Sequence, residues 1–244
     1  ILYTISLQSK ELQATRSELS RTAAAQEKSV YLLNEQISAQ RLEKFENTFF
    51  SLKNQLNHSK PDGEIISIKL EECFRTSHIK RVRDAVHEGN HLYGHYYRLI
   101  FQILKFIAYS TPSSTYRIPS VQPPSTEEKF YAGILRSVLD HGKTQILAIN
   151  ACCLDSSDSF FEYMALIKRY SLLEHMPFEI ESANKKTKEN SLIYFCSSYF
   201  IYRSDAFNKN IFLKQHLKYN NDLFRKGKIS AYHAKRYWLK KNQS

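Results

Sequence analysis

Two histidines with a glutamate between them are the first residues in this chain whose spacing could support chemistry. His87-Glu88-Gly89-Asn90-His91 matches the H-E-x-x-H pattern, in which two imidazoles bind zinc and the glutamate activates a metal-bound water. His95 follows four residues later, so a continuous helix would place His87, His91 and His95 on one stripe. The Gly-Asn pair inside the motif is poor for such a helix. The alternative is a turn that carries partly exposed histidines. We expect neither a bound metal nor a cofactor.

A second candidate site is the pair Arg136 and His141. Their spacing fits the R-x(4–6)-H signature of HEPN-type ribonucleases, in which an arginine and a histidine of one helix act on an RNA phosphodiester. Arg83 and His87 show a similar spacing, so the pattern also arises by chance. The alternative is an exposed arginine with a histidine at a helix end. The sequence does not decide whether the protein is an enzyme or which residues would be catalytic.

The elements that would position these residues are helices. The chain has 244 residues, of which 42% are hydrophobic, and its six glycines and six prolines are few for a turn-rich β protein. Its four cysteines lack the spacing of a disulfide framework, which indicates reduced thiols. The most apolar stretch, 94–107, is typical of a helix at the centre of a bundle. It contains His95 and Arg98, which would need partners if they were buried.

Residues 1–44 predict a long helical stalk. No Gly or Pro occurs before Pro61, and Val30 and Ile37 supplement a seven-residue repeat of apolar side chains. We interpret this segment as a coiled coil that forms a homo-oligomer, although the helix could instead lie along the domain. The apolar start ILYTISL is consistent with the end of a preceding transmembrane segment. The repeat consists of Ile5, Leu12, Leu19 and Leu33, with Gln26 in the same row.

The rest of the chain divides at a turn and a loop. A helix is expected at about 65–87, then the central helix, a Pro-rich loop at 110–126 and further helices from Glu127. A charged linker is expected at 181–191, before a basic, aromatic helical segment at 192–244. From Asn208 onward there are ten Lys or Arg and one acid, which accounts for most of the net charge of +11. This segment could bind nucleic acid or an anionic membrane, or form a solvated helical face.

Several blocks of residues stand in a defined order: FENTFFSL at 45–52, GHYYR at 94–98, ILKFI at 103–107, Tyr131 with ILRSVL at 134–139, Ile146, Leu147 and Asn150, and Ile167 with Tyr170, Leu172 and Leu173. Taken together, these blocks resemble the phage abortive infection proteins of bacteria from about Phe45 to Met176. The sequence departs from the usual family pattern after Arg136, where Val138, Asp140 and Lys143 stand in place of Gln, Ser and Glu.

The resemblance implies a protein anchored in the bacterial inner membrane, with a coiled-coil segment leading to a cytoplasmic helical domain that acts in phage defence. We expect an all-α protein with a stalk at 1–44 and a core domain at 45–180. His95, Arg98, Arg136 and Asn150 would form a buried polar cluster that is structural or senses a ligand. The leading hypothesis is an anti-phage effector or sensor, with a phage component or nucleic acid as a possible partner of the basic segment. The alternatives are the ribonuclease, the zinc hydrolase and a non-enzymatic coiled-coil scaffold.

Overall fold

The all-α prediction is confirmed. A computed structural model describes residues 2–116, 122–153, 155, 157–182 and 184–208, and these residues contain helices and no strand. The basic segment beyond Asn208 lies outside the described residues. The helices are α1 (Leu2–His58), α2 (Gly63–Cys73), α3 (Ile79–Glu88), α4 (Asn90–Ser110), α5 (Thr126–Arg136), α6 (His141–Asn150), α7 (Phe161–Arg169) and α8 (Lys185–Phe207).

The chain forms two compact units, Ile1–Thr48 and Phe49–Ser244, which we call unit 1 and unit 2. Unit 1 is helical, and large apolar side chains of its α1 are exposed to solvent, among them Leu12, Leu19 and Leu33. Within the part of the chain that the structure describes, none of the helices is long and apolar enough to cross a membrane.

The core of unit 2 is built around α4. Its buried side has three tyrosines followed by aliphatic residues, and α4 packs against α3, α5 and α7. Two of these tyrosines satisfy their hydroxyls on backbone carbonyls: Tyr93 donates to Val86 at 2.6 Å and Tyr97 to Lys143 at 3.1 Å. The buried residues of α4 are Tyr93, Gly94, Tyr96, Tyr97, Ile100, Ile103, Leu104, Ile107 and Ala108.

Two expectations about helix boundaries were wrong. The single helix expected at about 65–87 is two helices, because the chain turns after Cys73 and the Thr76 hydroxyl accepts a hydrogen bond from the His78 N–H at 3.2 Å. Most of the expected linker at 181–191 is helical. The Asn184 carboxamide accepts hydrogen bonds from the N–H groups of Lys186 and Thr187, and this N-cap starts α8 among lysines and a glutamate that favour helix.

Candidate functional site

A fully buried carboxylate marks the first turn of α5. Glu128 is 0% exposed, and it accepts hydrogen bonds from the Ser125 backbone N–H at 2.7 Å and from the Tyr170 hydroxyl at 3.0 Å. The Ser125 hydroxyl accepts from the Glu128 N–H at 3.1 Å, which completes a capping box. Arg169 Nη2 lies 3.0 Å from each carboxylate oxygen. The hydroxyls of Ser114 and Thr115 also donate to the carboxylate, at 3.3 and 3.4 Å. We call Ser114, Thr115, Ser125, Glu128, Arg169 and Tyr170 the Glu128 cluster.

Arg169 connects α7 to two points within the Pro-rich loop. Its Nη1 donates to the Gln122 carbonyl at 2.8 Å, and its Nη2 donates to the Thr115 hydroxyl at 2.9 Å. Its guanidinium also lies 5.1 Å from the centroid of the Tyr116 ring, within the range of a cation–π contact. One side chain therefore connects two points within the loop, Thr115 and Gln122, to the start of α5.

The Glu128 cluster keeps its carboxylate charged. Burial alone would raise the pKa of Glu128, but hydrogen bonds from Ser125, Arg169 and Tyr170 outweigh it, and the net pKa lies below the ordinary value of 4.5. Both ionic groups are buried and hydrogen-bonded to partners within the protein. The arrangement therefore positions α5, α7 and the loop.

Arg136 is bound in a second ion pair. Its Nη1 pairs with the Glu174 carboxylate and donates to the Ser171 carbonyl at 3.2 Å. Arg136 ends α5, whereas His141 is an exposed residue that begins α6. The expectation that the two residues share one helix was wrong, because the Asp140 side chain caps a new helix between them.

Two of the positions that depart from the family pattern form that cap. The Asp140 carboxylate accepts a hydrogen bond from the Lys143 N–H at 2.8 Å and pairs with the Lys143 ammonium. Lys143 is buried along its aliphatic chain, and its ammonium group pairs with the exposed Asp140 carboxylate. In this chain these positions therefore start α6.

His87 lies against the chain that joins α6 to α7. Its ring stacks on Phe160 with centroids 5.2 Å apart, and its Nε2 lies 3.3 Å from the Asn150 carbonyl oxygen. Arg83, one turn earlier on α3, makes a bidentate pair with Asp158 at 2.7 and 3.1 Å. This Arg83 pair lowers the pKa of Asp158. The His87 ring therefore serves in packing between α3 and this chain.

The continuous helical stripe that a zinc site at the H-E-x-x-H pattern would need is not formed, and the chain instead has the break between helices that the alternative described. α3 ends at Glu88 and α4 begins at Asn90, so Gly89 separates His87 from His91 and they do not share a helical face. Across the described ranges, no three His, Cys, Asp or Glu side chains come together in a group that could hold a metal ion.

The four residues expected to form one buried polar cluster do not all lie in the core. Asn150 is buried, and within the described structure its Oδ1 has no hydrogen-bond partner. His95 and Arg98 are exposed instead, because the apolar side of α4 faces the core and these two residues occupy its opposite side. Arg136 pairs with Glu174 as described above.

One exposed face of α4 carries three nitrogen-rich side chains. His91, His95 and Arg98 follow one another at helical spacings of four and three residues and are all exposed. His91 contacts the Glu88 carbonyl through Nδ1 at 3.3 Å, while His95 and Arg98 make no hydrogen bond or ion pair with any described residue. We call these three residues the α4 basic face. It can donate hydrogen bonds to an anionic group.

Sequence reasoning missed the Glu128–Arg169 pair. The Ser125-x-x-Glu128 pattern is a capping-box signal and would have placed Glu128 in the first turn of α5. Nothing in the sequence pairs it with Arg169, because the contact joins helices that are 41 residues apart in the chain.

Comparison with known proteins bears on the segment that contains α4 to α7. Residues 88–181 match the family model described as "Putative phage abortive infection protein". The match includes the α4 basic face, Glu128, Arg136, Asn150 and Arg169. No curated protein and no solved structure has significant similarity to the chain. The resemblance seen in the sequence is thus confirmed for residues 88–181, which are similar to this family.

Proposed function

We propose that this protein defends bacteria against phage by abortive infection, as an effector or sensor whose helical unit 2 responds to infection. The observation that carries the proposal is the family match over residues 88–181. Unit 1 would be the stalk, and the anchor in the inner membrane is proposed from the family resemblance.

Within the matched segment, the α4 basic face is the best candidate for recognising the signal. The buried cations Arg169 and Lys143 and the partly buried Arg136 are paired with carboxylates, so they serve the fold. His95 and Arg98 are exposed and make no such pairs with described residues. Removing an exposed, unpaired side chain has little effect on stability, so a loss of function there would report on recognition.

The experiment is phage plaquing on bacteria that express the full-length gene. Wild type should reduce plaquing, and His95→Ala with Arg98→Ala should restore it at equal protein level. Arg81→Ala is the matched control, because Arg81 is an exposed arginine of α3 outside the matched segment. Equal protection by wild type and the α4 variants would show that the α4 basic face does not recognise the signal. If wild type does not protect against a broad phage panel, that result would count against the proposed function.

The same plaquing assay also tests the ribonuclease alternative. If protection is lost only in His141→Ala and is kept in the α4 variants, RNA cleavage in infected cells becomes the next measurement. Fractionation of the cells tests the inner-membrane anchor separately, because a protein found wholly in the soluble fraction would contradict that part of the proposal.

A further inference from the structure

A stripe of apolar side chains runs along unit 1 and is exposed to solvent. Leu12, Leu19 and Leu33 are 56%, 64% and 55% exposed, and Val30 and Ile37 are 58% and 37% exposed. These five residues fall on two rows of a seven-residue repeat. If Val30 and Ile37 are given the heptad position a, the three leucines occupy position d.

The two flanks of this stripe are neutral. Positions e and g between residues 13 and 36 hold Gln, Ser, Thr and Asn, with Glu27 as their single charged residue. Three hydroxyls of the g row, Thr15, Thr22 and Ser29, donate to the carbonyl four residues earlier at 2.8 to 2.9 Å. A second copy of the same helix would therefore meet no like-charge repulsion along these flanks, and these three hydroxyls are already hydrogen-bonded.

The charges of the segment lie almost entirely on the outer positions. Lys10, Glu11, Glu18, Arg21, Lys28 and Glu35 all fall at positions b, c and f of the same heptads. The outward positions thus carry most of the charge, while the a/d stripe and its flanks are apolar or neutral apart from Arg16 and Glu27. This division is the pattern of a helix whose seam faces another helix rather than water.

We propose that unit 1 pairs with unit 1 of a second copy as a parallel, in-register, two-stranded coiled coil. β-branched residues at a with leucines at d favour this geometry over trimers and tetramers. Among the described side chains, the pairing buries the five exposed apolar residues against themselves, so the surface is self-complementary. The inference deepens the stalk of the proposed function, but it rests on the residues of unit 1 alone.

Two polar residues in the seam fix its register. Gln26 occupies a d position, and in a parallel in-register pair the two Gln26 carboxamides meet and can hydrogen-bond to each other. Arg16 occupies an a position, from which its long stem can reach solvent. A polar residue in the seam lowers stability while selecting one alignment.

Leu32 and Leu33 provide a matched test, because they are adjacent leucines with exposures of 53% and 55%. Only Leu33 lies at d in the proposed pair, whereas Leu32 lies at c on the outside. In the full chain, Leu33→Cys should give a covalent dimer under mild oxidation, and Leu32→Cys should not. The native cysteines are free and buried, which keeps the background low.

A second pair of variants tests stability of the dimer without oxidation. Leu33→Glu should raise the dissociation constant measured by analytical ultracentrifugation by at least about 100-fold, since two buried leucines are lost per dimer. Leu32→Glu should leave it within about threefold.

A monomeric mass for the wild-type chain at micromolar concentration would overturn the proposal. So would a trimer or tetramer, or a dimer in which Leu33→Cys fails to cross-link, because the helices would then be antiparallel or out of register. None of these results depends on phage, so they are separate from failure of the proposed function.

Discussion

Replacing Glu128 by Gln should destabilise unit 2 strongly, although the two side chains have nearly the same shape. The carboxylate is 0% exposed and faces Arg169, whose side chain is 7% exposed. Gln retains an oxygen for the Ser125 N–H and is itself accepted in a capping box. The substitution therefore removes mainly the charge that compensates a buried guanidinium.

The expected cost follows from that geometry. Removing one partner of a buried ion pair costs about 3–5 kcal/mol, because the other charge stays buried and uncompensated. Since the cap survives, we expect the lower end, about 3 kcal/mol. Domains are stable by only about 5–15 kcal/mol, so this is a large part of the total. Replacing Arg169 by Met in the same chain should recover part of the loss, as expected for directly coupled residues.

The assay is urea unfolding of the full chain, followed by near-ultraviolet circular dichroism of the tyrosines buried in unit 2. Glu127→Gln is the control, because Glu127 is the neighbouring acid of the same helical turn and is only partly buried. That control should change the free energy of unfolding by no more than about 0.5–1 kcal/mol. A loss below about 1 kcal/mol for Glu128→Gln, or equal losses for the two variants, would refute the reasoning.

The same cluster predicts a pH dependence with a defined sign. The pKa of Glu128 is lower in the folded chain than its ordinary value of 4.5, so its contribution to stability is fully present above pH 4.5. That contribution is lost as the pH falls through the folded pKa. Wild type should therefore lose more stability than Glu128→Gln between pH 6 and acid conditions. Parallel curves for the two proteins would contradict this assignment.

Two further substitutions are expected to act through packing and pairing. Gly142→Ala should cost about 1–3 kcal/mol, because a Cβ there would lie 2.9 Å from Ile66 Cγ2, whereas Gly133→Ala meets no atom within 4 Å and should be neutral or stabilising in thermal unfolding. Asp158→Asn should lower the melting temperature by several degrees, because Arg83 loses its bidentate carboxylate. Equal melting temperatures for wild type and Asp158→Asn would count against a stabilising role for the pair.

The helices of unit 2 could be predicted from the sequence where local signals are strong. The apolar stretch at 94–107 identified the central helix, and Pro and Gly at 61–63 marked the end of α1. The break between α2 and α3 was missed because it involves a local hydrogen bond from the His78 N–H to the Thr76 hydroxyl, which leaves the apolar pattern almost intact.

Site residues were harder to place, because their surroundings are formed by distant parts of the chain. His95 and Arg98 lie in an apolar sequence, yet the helix turns them away from the core. Glu128 follows Glu127 in the sequence, and such an acidic pair is typical of an exposed helix start. Only the tertiary packing places Arg169 beside it. Composition and periodicity predict which face of a helix is buried, whereas an ion pair between distant segments can be identified only from the tertiary structure.

The most direct test of the central claim is the growth of infected cultures that express the gene, measured at low and at high phage-to-cell ratios. Abortive infection sacrifices the infected cell before phage is released. If the protein acts by abortive infection, cultures should survive at the low ratio, while cells at the high ratio should stop growing and release little phage. Survival of cells at both ratios, or lysis and phage yield equal to those of cells without the gene, would contradict it.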